Sequence, residues 1–300
     1  MAVNLYKHRE SNIRKTWILF AGFLVFVIGV GWIFSQVYGS NVILIVAVVF
    51  SIVMNVLAYW YSDKLVLKMS RAEPVEKSKA PELYNVVENL AITAGLPTPK
   101  IYLVRDPSPN AFATGRDPKH AVVAVTTGLL ERLDRTELEG VISHELSHIG
   151  NRDMLLSTVV VVLVGFVALL SDFFMRSLWF RGMFGDQDRR GGGGTAMILI
   201  GIIFSILAPL SAMLIQLAIS RKREFLADAS GAMLTRYPEG LAKALEKISA
   251  YSRPMRSANN ATAHLWISDP HGKKHNVVAK LFMTHPPTEE RVARLRGINI

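Results

Sequence analysis

The chain alternates between long runs without charge and stretches where apolar and polar positions interleave. Between Lys15 and Asp63 no residue is charged. The run reads WILFAGFLVFVIGVGWIFSQVY, then Gly39-Ser40-Asn41, then VILIVAVVFSIVMNVLAYWY. A bilayer core takes about 20 apolar residues per helix, so the pattern predicts two spans joined by a tight turn, residues 16–61. Trp17, Trp32, Tyr38, Tyr59, Trp60 and Tyr61 lie near the span ends, where amphipathic rings favour the headgroup region. The first run is too long for a signal-peptide core and has no small-residue cleavage pattern after it. It reads as a retained span.

Residues 62–153 have the patterning of a water-soluble unit. PELYNVVENLAITAGL (Pro81 to Leu96) repeats its apolar positions at helical spacing and ends at Gly95 and Pro97. KIYLVRD, NAFATG and HAVVAVTTG read as short strands, the last two separated by the turn-forming Arg116-Asp117-Pro118-Lys119. Asp134 opens a helix with Glu137 as its capping-box partner. That helix carries GVISHELSHIG, Gly140 to Gly150, and is expected to run on into MLLSTVVVVLVGFVALL.

A third hydrophobic helix is thus expected over 154–174, a connector over 175–194 and a fourth hydrophobic helix over 195–220. Both helices are long enough to span. The connector, with Arg176, Arg181, Arg189, Arg190 and the flexible Gly191–Gly194 run, is too basic for a short outside loop, so helices partly buried in the membrane surface or against the protein are the alternative. Residues 221–300 read as soluble again, with helical patterns over Arg221–Thr235, Pro238–Tyr251, Lys274–Met283 and Thr288–Arg296.

Composition agrees with this division. Half of the residues are hydrophobic, only 19% are charged, and mean hydropathy is positive at +0.28. The net charge of +10 does not form a nucleic-acid-binding face, because the basic residues cluster beside the apolar runs. Lys7, Arg9, Arg14 and Lys15 precede the hairpin and Lys64, Lys68 and Arg71 follow it, which puts residues 1–15 and the soluble part in the cytoplasm. Cysteine is absent, so any metal must be held by His, Asp or Glu.

His144 and His148 supply that possibility. Residues four apart on a helix differ by about 40° around the axis, so both rings can face one ion. Glu145 lies about 60° from His148, within reach of a water on that ion, and Gly140 leaves room for something to approach. A zinc ion would acidify the water, with Glu145 accepting its proton. The motif alone also fits an amphipathic helix with two incidental histidines. A metzincin continuation is excluded, because Asn151 and Met154 stand where Gly and His would be needed.

The third ligand is open between two residues. RKREFLADASG places Glu224 and Asp228 one turn apart, Glu224 suited to the metal and Asp228 to holding a ligand histidine by its free ring N–H. His285 is the rival. His264, His271 and His275 lie in a loop-rich region and are expected to face solvent.

The order of His144-Glu145-x-x-His148, Ser220-Arg221-x-x-Glu224-x-x-x-Asp228, Asn110-Ala-Phe-Ala-Thr-Gly115 and His285-Pro-Pro-Thr-x-x-Arg291 resembles the HtpX family of membrane-integrated zinc metalloproteases, relatives of the CAAX prenyl proteases. The match covers essentially the whole chain. The resemblance implies a mainly α membrane protein, with transmembrane helices and an α+β gluzincin-type zinc metallopeptidase domain built on a small β-sheet. It implies one Zn2+ on His144, His148 and Glu224, a cytoplasmic catalytic domain, and quality control of membrane proteins at a bacterial inner membrane. Under it, Asn110, Ala111, Phe112, Ala113 and Thr114 form an edge strand that pairs with an extended peptide substrate. His285 and Arg291 become candidate catalytic donors to the oxyanion. The expected partners are membrane-protein or peptide substrates and the lipid bilayer, not nucleic acid. A prenyl-protein processing protease and a non-catalytic metal sensor or transporter are the alternatives. The first two spans, free of ionisable residues, argue against transport.

Overall fold

A computed structural model of the chain describes residues 5–166, 221–259, 261–272 and 286–298. The end of the third apolar run, the connector, the fourth run, the stretch Lys274–Met283 expected to be helical, His275 and His285 lie outside the described residues.

The uncharged run folds as two long helices, α1 (Leu5–Tyr38) and α2 (Asn41–Met69). The chain reverses at Gly39, whose φ of 63° is the left-handed conformation that glycine adopts without a Cβ penalty. The most apolar 18-residue stretches within Glu10–Gln36 and Asn41–Met69 have mean hydropathies of 2.4 and 2.7. Val25, Val42, Ile45, Val46, Val49 and Val53 are exposed along them. An apolar surface of that extent is stable against lipid and not against water. Within the hairpin, Asn55 Nδ2 donates to the Phe20 carbonyl at 3.2 Å.

After α2 the chain builds a four-stranded sheet of order β1-β2-β4-β3. Its strands are β1 (Ala72–Pro74), β2 (Lys100–Val104), β3 (Ala111–Thr114) and β4 (Val122–Thr126). β1 and β3 pair antiparallel to their neighbours, while β2 and β4 run parallel, Lys100 opposite Val122 through Val104 opposite Thr126. β1 escapes the sequence pattern because a strand as short as Ala-Glu-Pro has no periodicity to read.

Both faces of the sheet are buried. Ile101, Ala113, Val123 and Val125 share one core with α3 (Pro81–Thr93), α5 (Arg135–Gly150) and α8 (Pro238–Ala250). Phe112, Val122 and Ala124 turn to a second core with Leu19, Phe20 and Phe23 of α1, Leu156 and Val160, and Trp266. Alternation along each strand therefore joins the soluble part to the membrane hairpin through one sheet. A short helix, α4 (Thr127–Arg132), leads from β4 towards α5.

α5 begins with the expected capping box, Asp134 and Glu137 each bonded to the other's backbone. It does not run straight into the third apolar run. It stops at Gly150, Arg152 takes a left-handed φ of 59°, and α6 (Asp153–Phe166) leaves at 83°. The expected continuous helix is thus a sharp corner. The fold closes with α7 (Arg221–Thr235) and α9 (Thr288–Arg296) packed beside α5 and α8.

Candidate metal centre and active site

The site forms where α7 lies across α5. Close approach needs small residues at the crossings. A Cβ on Gly231 of α7 would stand 3.0 Å from the His144 backbone nitrogen, and one on Gly140 of α5 would stand 2.5 Å from the Leu241 nitrogen of α8. The room left at Gly140 is therefore filled by another helix of the same chain. With Gly231 against His144, Glu224 and Asp228, two turns and one turn back on the same face, also meet α5.

His144 Nε2 and His148 Nε2 lie 3.2 Å apart, with ring planes at 87°. Glu224 places Oε2 3.8 Å from His144 Nε2 and Oε1 3.6 Å from His148 Nε2. Bonds of roughly 2.0–2.1 Å to a tetrahedral ion put neighbouring ligand atoms about 3.3–3.4 Å apart, so the three residues fit a metal as they stand. Among the described residues, theirs is the one group of metal-ligating side chains whose donor atoms lie this close, all within 4.8 Å of one another.

Each histidine is held from behind by a carboxylate. Asp228 Oδ1 lies 2.9 Å from His144 Nδ1. Asp153 Oδ2, at the start of α6, lies 3.1 Å from His148 Nδ1. Asp153 is absent from the sequence reading: five residues past His148 it would point elsewhere on a straight helix, and only the corner at Arg152 turns it back. It is itself held. Asn12 of α1 donates to Asp153 Oδ1 and to the Asn151 carbonyl, and Arg223 Nη1 donates to Asn12 Oδ1 at 3.3 Å. The membrane hairpin thereby touches the frame of the candidate metal site.

Arg291 is one of the largest fully buried side chains. Its Nε and Nη2 bond the two oxygens of Asp228 at 2.9 and 2.7 Å, and its Nη1 donates to the Ile267 carbonyl at 3.1 Å. Arg291, a candidate oxyanion donor, thus bonds the carboxylate that holds His144, and its Nη2 also lies 3.4 Å from His144 Nδ1.

These contacts set the charge states. Burial pushes the Asp228 carboxyl up, but Arg291 and the His144 hydrogen bond outweigh it and hold it at about 2. Burial dominates at His144 and lowers it to about 4 against the pull of Asp228. Neutral imidazole is the form that binds a metal. Burial opposes a proton on His148 too, yet Asp153, Glu224 and Glu145 raise it to about 9, a concentration of negative charge that a cation would answer. Burial lifts Glu145 to about 7, only partly offset by His148, Arg291 and a hydrogen bond from the Ala113 amide.

That last bond connects the site to β3, which lies at the edge of the sheet. Asn110, Ala111, Phe112, Ala113 and Thr114 are all buried. The Asn110 side chain donates to the Ser268 carbonyl at 2.8 Å and accepts from the Ser268 amide at 3.2 Å. The Ile267 amide donates to the Ala111 carbonyl at 2.9 Å, so part of the outer edge is already paired. Phe112 stacks edge-on against Trp266, with ring centroids 4.6 Å apart. Thr114 Oγ1 meets Thr158 Oγ1 of α6 at 3.0 Å. His264, expected in solvent, is instead buried, its Nε2 3.0 Å from the Ser157 carbonyl. Its segment packs onto the sheet edge and α6, a long-range contact that local composition does not disclose.

Residues 77–299 match the model of peptidase family M48. A protease HtpX homolog of Caldanaerobacter subterraneus subsp. tengcongensis is 48% identical over 299 residues, covering 99% of this chain and 98% of that protein. Another from Thermococcus kodakarensis is 49% identical over 286 residues, 95% of each. In fold, the chain resembles the crystal structure of S. mikatae Ste24p with a TM-score of 0.52 at 20% identity, covering 94% of this chain and 66% of that longer one. With a helix pair fit for the bilayer, two histidines and a glutamate grouped as a metal would need beside a buried carboxylate, and relatives this similar along the whole chain, the protein belongs to peptidase family M48 and is a membrane metalloprotease.

Proposed function

We propose that the protein is a zinc endopeptidase whose ion is held by His144, His148 and Glu224, and that it hydrolyses peptide bonds in damaged or misfolded membrane proteins. The convergence of the two Nε2 atoms, 3.2 Å apart, on the Glu224 carboxylate, Oε1 3.6 Å from His148 and Oε2 3.8 Å from His144, carries this reading, because a small, nitrogen-tolerant cation suits it. Zinc in such a site supplies a Lewis acid that polarises a carbonyl and acidifies water. Glu145, buried with a carboxyl near neutrality, accepts the proton and passes it to the leaving amine. Asp228 and Asp153 hold the two imidazoles in the tautomer that turns Nε2 towards the ion.

Arg291 acts in this scheme as a positioning residue for Asp228. His285, outside the described residues, is left as the candidate donor to the oxyanion. The substrate adds as an extended strand to β3 from its Ala113 end, since Ile267 already occupies Ala111, and Asn110 anchors the covering loop. The basic flanks of the hairpin support a cytoplasmic position for the catalytic part at the plasma membrane, with the third and fourth runs as further spans. The HtpX naming of the relatives agrees with a role in protein quality control.

The test is proteolysis of an unfolded model substrate by purified protein in detergent. Activity abolished by a chelator, restored by stoichiometric zinc and absent in Glu224→Ala supports the reading. Undiminished cleavage by Glu224→Ala would overturn it.

A further inference from the structure

At the joint between α2 and the sheet lies a cavity of about 460 Å3, far from the metal ligands in sequence and built on different elements. It is lined by Trp60, Tyr61 and Lys64 from the end of α2, Lys100 from the start of β2, and Arg116 and Lys119 from the turn after β3. Its size falls within the range of small-molecule sites, roughly 300–1,000 Å3.

The charges in it are unbalanced. Asp117 serves Arg116 at 3.6 Å and His120 at 2.8 Å. Among the described residues no carboxylate lies within salt-bridge distance of Lys64, Lys100 or Lys119, although Asp63 also lines the space. The two rings already carry cations: the Arg116 guanidinium stands 4.5 Å from the Trp60 ring centre and the Lys64 ammonium 5.0 Å from that of Tyr61. A quaternary ammonium would therefore meet positive charge where it needs an open aromatic face, whereas an anion meets donors on three sides.

Depth decides the source of that anion. The uncharged run ends at Ser62, so residues 60–64 stand where a span leaves the hydrocarbon and enters the headgroup layer. We propose that this cavity binds the phosphodiester headgroup of an anionic membrane lipid, whose acyl chains lie along the exposed face of α2. Basic pockets at the cytoplasmic end of spans are suited to such lipids. Lys100 opens β2, and the Arg116–Lys119 turn joins β3 to β4, so the bound headgroup clamps the sheet, and with it the strand beside Glu145, to the membrane anchor.

Native mass spectrometry of the purified full-length protein in detergent, offered equal amounts of phosphatidylglycerol and phosphatidylcholine, reads the preference directly. The wild type should retain phosphatidylglycerol. Lys64→Ala with Lys119→Ala should lower that preference by roughly 25-fold, about fivefold for each lysine. The exposed pair Lys79→Ala and Lys243→Ala, which removes equal charge elsewhere, should leave it intact. Should the double variant fail to fold, Lys119→Gln alone at the exposed turn should still cost about fivefold. No preference in the wild type, or an equal loss in the remote pair, would overturn the proposal. So would displacement of the lipid by an equal concentration of glycerol 3-phosphate, which would make the cavity a site for soluble phosphate esters.

Discussion

Arg291 grips Asp228 at two points, Nε to Oδ2 at 2.9 Å and Nη2 to Oδ1 at 2.7 Å, and both side chains are buried. Asp228 in turn reaches His144 Nδ1. The arginine therefore acts on the proposed metal through two residues, Asp228 and then His144, and its removal strands a buried carboxylate. Arg291→Ala should destabilise the soluble part by about 3–5 kcal/mol. Arg291→Lys keeps the charge but not the fork, and should weaken zinc retention while leaving the protein folded. Chelator-competition titration tests this: zinc affinity equal to wild type with a lower kcat would point back to the oxyanion role.

Asp153 should matter as Asp228 does. Asp153→Asn preserves the shape but weakens the acceptor for His148 Nδ1, and zinc affinity should fall about 10–100-fold. Asn12→Ala, which acts on Asp153 from α1, should give a smaller loss in the same direction. Zinc retention measured at several chelator concentrations orders the two variants.

Glu145→Gln retains the size of the side chain and lacks the base. Zinc content should match the wild type while kcat drops roughly 10²–10⁴-fold. Cleavage of a fluorogenic peptide in detergent, normalised to bound zinc, gives the number.

Gly140→Ala should separate α5 from α8, because the new methyl carbon would sit 2.5 Å from the Leu241 nitrogen and backbone cannot yield cheaply. A loss of about 1–3 kcal/mol is expected, visible as a lower Tm. Gly231→Ala meets its neighbours at 3.0 Å and should cost less stability, but it disturbs zinc binding more because it presses on His144 itself.

Local repetition along the chain carried the legible part of this fold. The hairpin was legible because a bilayer demands a long uncharged run, and α7 and α9 because their apolar positions recur at the helical period. The strands over β2, β3 and β4 showed in alternation and turn residues, and the histidine pair in its spacing of four. The tertiary structure alone decided the rest. A 83° corner at Arg152 cannot be read from apolar residues that continue on both sides of it, and that corner is what brings Asp153 to His148. The contacts of Arg291 with Asp228, of Asn12 with Asp153 and of Ile267 with Ala111 join residues far apart in the chain. Their partners are set by how helices cross and sheets are covered, and no period along the sequence encodes a crossing.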